Sequence, residues 1–175
     1  MPVQRSGHVA VVYQGCMYVF GGWIGGSQHG NDLHEFNFQE RVWSKIECSP
    51  APPMCGRAGH SAVIMGNSMF VFGGFDGNIR LNDLHAFCYE TRTWSEIRAG
   101  GHAPSPRAYH SAVTYEGSMY IFGGFDGNHR YNELYRYHFG TLRVARSFAK
   151  ASCVWLRFFN NTKRTGLLCR YINLV

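Results

Sequence analysis

Short apolar runs recur along this chain, each closed by glycine or by a polar turn, and the set repeats with a period of about fifty residues. The second copy is the clearest. A β-rich run opens at 61–64, Gly66-Asn67 turns the chain, and Met69, Phe70, Val71 and Phe72 form an unbroken apolar quartet ahead of Gly73-Gly74. Runs at 84–89 and 94–97 complete the unit. The first copy has the same order at 9–13, 16–20, 33–38 and 42–46. The third reproduces only the first three runs, and Val144 stands where Trp43 and Trp94 stand in the others.

The spacing is rigid. From His8, His60 and His110 to the first glycine of the following pair is 13 residues in every copy, and from Leu33, Leu84 and Leu134 to the Trp43, Trp94 and Val144 position is 10. Length varies only in the loop after the glycine pair and in the linker between copies. With the strands named A to D, an up-and-down antiparallel sheet puts the A–B and C–D turns at one end. The B–C and D–A connections then share the other end, so both variable places fall on one face, where loops carry function.

A continuously apolar strand B requires cover on both sides of its sheet, and radial repetition of four-stranded sheets supplies it. The predicted fold is therefore all-β: a partial β-propeller of four-stranded antiparallel blades forming an incomplete ring. Blades are expected at 5–47 and 57–98, with a third at 107–139 that lacks its fourth strand. Residues 140–175 read as a basic non-repeat tail, either disordered or foreign to the fold.

The glycine pair after an apolar quartet, the aromatic in the third strand and the tryptophan in the fourth resemble Kelch motifs over residues 5–139. The Asn-Asp-Leu opening of the third strand and the Gly-Gly-Phe-Asp-Gly-Asn loops are similar to those of intracellular multi-Kelch adaptor proteins. The resemblance implies a propeller used as a protein-interaction module, scaffold or adaptor, including substrate recognition for a ubiquitin ligase. It also leaves two alternatives: a metal-dependent Kelch-type enzyme (oxidase or specifier), and a truncated product without independent function.

Composition adjusts this picture in two respects. Hydrophobic residues make up 45% of the chain and aromatics 15%, which argues for a packed core and against disorder. The net charge of +6 is uneven: residues 140–175 hold 7 Lys/Arg and no acid, whereas residues 1–139 hold 10 Lys/Arg against 11 acids. The basic residues of the tail have no helical spacing, so a solvated tail is the simpler reading and no nucleic-acid partner is expected. The 6 cysteines form no C-x-x-C pair and do not follow the repeat, which favours free thiols, a reducing compartment and a cytoplasmic or nuclear location. No membrane span is expected.

His8, His60 and His110 recur in register; a metal ring is one reading, and a hydrogen-bonding residue at the start of each strand A is the favoured one. Arg5, Arg57 and Arg107 recur likewise, as a basic rim or as pairings fixed by the repeat. Gly21, Gly22, Gly73, Gly74, Gly123, Gly124, Trp43 and Trp94 are assigned to structure. The loop residues Trp23, Phe75, Arg80, Phe125, His129 and Arg130 mix aromatics with arginine, the usual composition of binding hot spots, and are the candidate partner-binding surface. No motif of nucleotide binding or of hydrolase and protease catalysis occurs. Neither a catalytic residue nor a metal or cofactor is expected; the partner is taken to be a protein, and closing the propeller is expected to need further blades or self-association.

Overall fold

Strand B of the second repeat shows how the molecule is put together. Its alternate residues belong to two different cores: Met69 and Val71 to one, Phe70 and Phe72 to the other. A pleated strand points successive side chains to opposite faces, so an unbroken apolar run is what a sheet packed on both sides requires. The computed structural model describes residues 1–48 and 54–147, and these form an all-β structure whose three larger sheets are arranged as successive blades.

Blade 1 comprises β1 (Val9–Tyr13), β2 (Cys16–Phe20), β5 (Leu33–Asn37) and β6 (Val42–Ile46), with the small ribbon β3 (Trp23–Gly25) and β4 (Gln28–His29) in its B–C loop. Blade 2 comprises β7 (Ser61–Met65), β8 (Ser68–Phe75), β9 (Arg80–Cys88) and β10 (Thr93–Glu96). Blade 3 comprises β12 (Ser111–Tyr115), β13 (Ser118–Phe122), β14 (Leu134–His138) and β15 (Arg143–Ser147), with β11 (Gly100–Gly101) added at its edge. Within each blade the four strands lie in sequence order and pair antiparallel. Among the described residues the blades do not close into a ring.

The two ends of the blades separate as the strand order demands. At one end the C–D turn bonds back to the A–B turn in every blade, through Phe38 N–H to Gly15, Tyr89 N–H to Asn67 and Phe139 N–H to Gly117. At the other end the glycine pair of one blade meets the start of the next: Gly22 N–H donates to the Arg57 carbonyl and Gly74 N–H to the Arg107 carbonyl, at 2.8 and 2.9 Å.

The expected absence of a fourth strand in repeat three is corrected. Residues Arg143–Ser147 pair along the whole of β14, and Val144 sits opposite Tyr137 as Trp94 sits opposite Phe87. The aromatic that marks this strand in the sequence is missing, but the backbone ladder and a buried apolar side chain suffice to form it. The third blade thus extends to 147, and the remainder of the predicted tail, 148–175, lies outside the described residues. A second correction concerns the D–A linkers, predicted as loops on the B–C face. Gly100–Gly101 instead runs parallel to β15 and covers the outer edge of blade 3; residues 49–53 of the other linker lie outside the described residues.

Two cores hold the blades together. Between blades 1 and 2, Tyr18, Phe20, Leu33 and Ile46 meet Met69, Val71, Phe87 and Trp94. Between blades 2 and 3, Val63, Phe72 and Leu84 meet Met119, Ile121, Tyr137 and Val144. Trp94 packs its indole 4.9 Å from Phe20 and 5.2 Å from Phe87. Val144 fills less of the equivalent space, and a cavity of about 260 Å³ bordered by Phe72, Leu84, Ile97, Ile121, Tyr137 and Val144 lies there. The glycine pair does not end strand B in blade 2, as the sequence suggested; it bulges it, with a register shift between Phe72 and Gly74. Gly73 and Gly74 have φ of 60° and 105°, and a Cβ on Gly73 would lie 2.9 Å from the Arg107 carbonyl oxygen. Glycine is needed here both for backbone conformation and for the approach of the next blade.

Candidate functional site

The recurring arginines hold the loop end of each blade together. Arg57 is fully buried. It donates to the Gly73 carbonyl at 3.0 Å and to both carboxylate oxygens of Asp83 at 2.7 and 2.8 Å. Asp83 in turn bonds His85 at 2.9 Å. Blade 1 repeats the arrangement with Arg5, Gly21, Asp32 and His34. In blade 3, Arg107 reaches the Gly123 carbonyl and Glu133 at 2.9 and 3.0 Å, and its guanidinium lies over the Tyr135 and Tyr131 rings. Hydrogen bonds from Arg5 hold the Asp32 carboxyl well below the usual carboxylate range. Burial alone would raise Asp83, but bonds from Arg57 and His85 outweigh it and hold this group low as well. Of the two readings for these arginines, the pairing fixed by the repeat is the one observed. The sequence carried a signal for the acidic partners: an acid lies 27, 26 and 26 residues after Arg5, Arg57 and Arg107.

The recurring histidines face the preceding blade rather than one another. His60 and His110 are buried, with ring centroids 5.4 Å from Phe20 and 5.2 Å from Phe72. His110 Nε2 shares a hydrogen bond of 2.8 Å with Ser61 Oγ. Burial, followed by the charge of Arg57, pushes the His60 pKa down to about 3; burial and Arg107 lower His110 to about 4. Both rings are neutral at physiological pH. His8, at the same position of blade 1, is exposed. Among the described residues, no three of His, Cys, Asp and Glu gather as a metal site requires.

The B–C loops present the aromatic and arginine surface. The Arg80 guanidinium carbon stacks 4.6 Å from the centre of the Phe75 ring in its own blade and 5.5 Å from that of Phe125 in the next. Arg130 stacks on Phe125 as well, at 5.6 Å. Phe75, Arg80, Phe125 and Arg130 thus form one alternating ladder that bridges blades 2 and 3. Each loop is fixed by its aspartate: Asp76 accepts from the backbone N–H of Asn78 and Ile79, and Asp126 from those of Asn128 and His129. The absence of a side chain at Gly127 also matters, since a Cβ there would lie 2.9 Å from an Arg80 guanidinium nitrogen. His129 is 76% exposed and sits 3.6 Å from Asp126. Trp23, 45% exposed, donates its indole N–H to Gly26 in the blade 1 loop. It lines a cleft of about 520 Å³ together with His29, Tyr109 and the ladder's Phe75.

Tyr109 was missed by sequence reasoning. It occupies the position of Gly7 and Gly59 and adopts the same left-handed backbone, φ 58° against 64° for both glycines. A non-glycine residue there is strained by roughly 1–3 kcal/mol, yet the ring is 69% exposed on the loop face. The available signal was the break in pattern, Arg107-Ala108-Tyr109-His110 where the second copy has Arg57-Ala58-Gly59-His60. Of the structural tryptophans, Trp94 is buried, whereas Trp43 is half-buried on the outward side of blade 1 against Phe36.

Three successive four-stranded antiparallel blades, locked by arginine and glycine at one end and displaying variable loops there, define a β-propeller repeat protein. The chain belongs to the Kelch-repeat family: residues 7–154 match the KLHDC2/KLHL20/DRC7 Kelch-repeats domain. It is 37% identical over 111 residues to the leucine-zipper-like transcriptional regulator 1 homolog of Drosophila melanogaster, covering 59% of this chain and 11% of that protein. It is 38% identical over 90 residues to Kelch domain-containing protein 1 of Mus musculus, covering 51% of this chain and 21% of that protein. It is also 32% identical over 103 residues to acyl-CoA-binding domain-containing protein 4 of Arabidopsis thaliana, covering 58% of this chain and 15% of that protein. The matched segments are thus a small part of each of these relatives.

Proposed function

We propose that the chain is a non-enzymatic protein-interaction module whose B–C loop face captures a partner, in the manner of an adaptor that recruits substrates to a ubiquitin ligase. The observation that carries this reading is the Phe75–Arg80–Phe125–Arg130 ladder. Stacking holds the Arg80 and Arg130 planes while leaving hydrogen-bonding edges for a carboxylate, which arginine binds in a bidentate manner. Aromatic and arginine side chains carry most of the energy of protein interfaces. The strained Tyr109 and the adjoining Trp23 cleft supply apolar contact beside this cationic strip. The fitting partner is a protein segment with acidic residues flanked by an apolar or aromatic anchor. Membership of the Kelch family and the relatives found support this class of function. The free thiols of Cys16, Cys48, Cys55 and Cys88 agree with a reducing cytoplasmic or nuclear setting, which imaging of the tagged chain would test.

The test is affinity capture with the wild-type chain and with Arg80→Ala, Arg130→Ala and Phe125→Ala, followed by titration of captured segments against each variant. Each variant is expected to weaken binding about tenfold or more with an unchanged far-UV spectrum. Equal capture by all of them would refute the assignment of this surface. Stoichiometric copper or iron in the purified protein would instead favour the metal-dependent enzyme.

A further inference from the structure

The cores on the two sides of blade 2 are built from matching positions but are not equally full. Between blades 1 and 2, Met54, Phe87 and Trp94 pack into one buried cluster. Their counterparts 50 residues further on are Pro104, Tyr137 and Val144 (54 to 104, 87 to 137, 94 to 144). The register is the same, since Trp94 sits opposite Phe87 and Val144 opposite Tyr137. Two of the three changes remove bulk, and the third adds a hydroxyl. The cavity of about 260 Å³ between blades 2 and 3 is the result.

Its inner walls are the buried side chains of Phe72, Leu84, Ile121 and Val144, and the exposed Asn82 and Glu96 stand at its rim beside Asp83, so it opens to solvent. An apolar cavity of about 150 Å³ takes a benzene ring, and this one has room for a second, fused ring. In the other core the corresponding space is occupied by the indole of Trp94, held against Phe20 and Phe87. Tyr137 adds a polar contact. It is 1% exposed and borders the cavity, and its hydroxyl has no hydrogen-bond partner among the described residues. A buried hydroxyl in that state costs stability until a partner reaches it. Burial pushes the Tyr137 phenol up, so it stays protonated and can donate or accept. A water molecule would find few of the several polar partners it needs among these walls. The acids at the rim are already paired, Asp83 with Arg57 and Glu96 with Arg98, so they favour no ionised ligand.

We infer that this cavity is a binding site for a small uncharged aromatic molecule of indole size, its ring lying between blades 2 and 3 in the place of the missing tryptophan and its one hydrogen-bonding group on the Tyr137 hydroxyl. The site is internal to two consecutive blades. No residue of the Phe75–Arg80–Phe125–Arg130 ladder borders it, so ligand binding here and partner capture there stand or fall separately. A ligand in this place ties blade 2 to blade 3 and stabilises the folded chain by mass action.

Indole and indene are the probes, because they share a shape and only indole carries an N–H. With the full 175-residue chain, indole should raise the thermal midpoint saturably and give saturation-transfer NMR signals. It should bind roughly three- to tenfold more tightly than indene, as one net hydrogen bond requires. Tyr137→Phe keeps the packing and should abolish that preference while leaving the affinity for indene unchanged. Val144→Trp and, as a smaller filling, Val144→Phe should each abolish the binding of both probes. Trp23→Ala, in the loop cleft, should leave both affinities as they were. No saturable binding to the wild-type chain, equal affinity for indole and indene, binding that survives filling of the cavity at Val144, or binding that is lost in Trp23→Ala would overturn the proposal.

Discussion

Removing Arg57 should expose how much of blade 2 depends on a single buried guanidinium. Its side chain is inaccessible to solvent and makes charge-assisted bonds to both Asp83 oxygens at 2.7 and 2.8 Å, besides holding the Gly73 carbonyl at 3.0 Å. Arg57→Met replaces it with an apolar chain of similar length and leaves Asp83 with His85 as its remaining side-chain partner. Breaking a buried pair from one side costs roughly 3–5 kcal/mol. The Asp83 side chain is 29% exposed, so water relieves part of the loss and about 3 kcal/mol is expected. Asp83→Asn should cost a comparable amount by stranding the buried cation. The double variant strands neither charge, so its cost should fall below the sum of the singles by about 2 kcal/mol, within the range of coupling between contacting residues. The assay is urea unfolding followed by tryptophan fluorescence, with Trp94 buried between blades 1 and 2. The pair also fixes the sign of an acid effect. The Asp83 pKa is lowered in the folded chain, so its stabilisation is complete above the unfolded value of about 3.9. It is lost as pH falls through the lower, folded value, and the double variant should lose correspondingly less. Additivity of the two single variants within about 0.5 kcal/mol would refute the reasoning.

Further predictions concern individual side chains. The His110 pKa is lowered to about 4, so the unfolded chain takes up a proton below about 6.5 that the folded chain refuses. Stability should therefore decline from pH 6.5 toward 4, with about 3 kcal/mol of the decline from His110 at 1.36 kcal/mol per pKa unit and a further part from His60, which is lowered likewise; His110→Gln should make the decline shallower by the His110 share in pH-dependent urea curves, and an unchanged slope would contradict it. Val144→Trp should fill the 260 Å³ cavity between blades 2 and 3 and raise stability by about 0.5–2 kcal/mol, read as a higher thermal midpoint; a lower midpoint would show that the space cannot take an indole. Tyr109→Gly should relieve the left-handed strain and stabilise the fold by roughly 1–2 kcal/mol while weakening partner capture, and a loss of stability would remove the argument that this residue is kept for binding.

The sequence by itself determined the repeat, the strand order and the ends of the blades. Each depends on local features: an apolar quartet, a glycine pair, turn residues at fixed offsets and a tryptophan 10 residues after a leucine. It also placed Phe125 and Arg130 in a B–C loop, whereas Phe75 and Arg80, assigned to a loop by the sequence, pair with each other as the last residue of β8 and the first of β9. Their stacking was decided by tertiary structure, because Arg80 and Phe125 belong to different blades and meet only when the sheets pack. For the Arg57–Asp83–His85 cluster the sequence carried only the recurring spacing from arginine to acid, because Arg57 and Asp83 lie 26 residues apart and meet only when the blade folds. The fourth strand of blade 3 was illegible because Val144 lacks the aromatic marker, whereas the ladder with Leu134–His138 needs only a backbone in register and an apolar side chain to bury. Local chemistry fixes periodicity and turns, while contacts between blades depend on long-range packing that a single repeat does not encode.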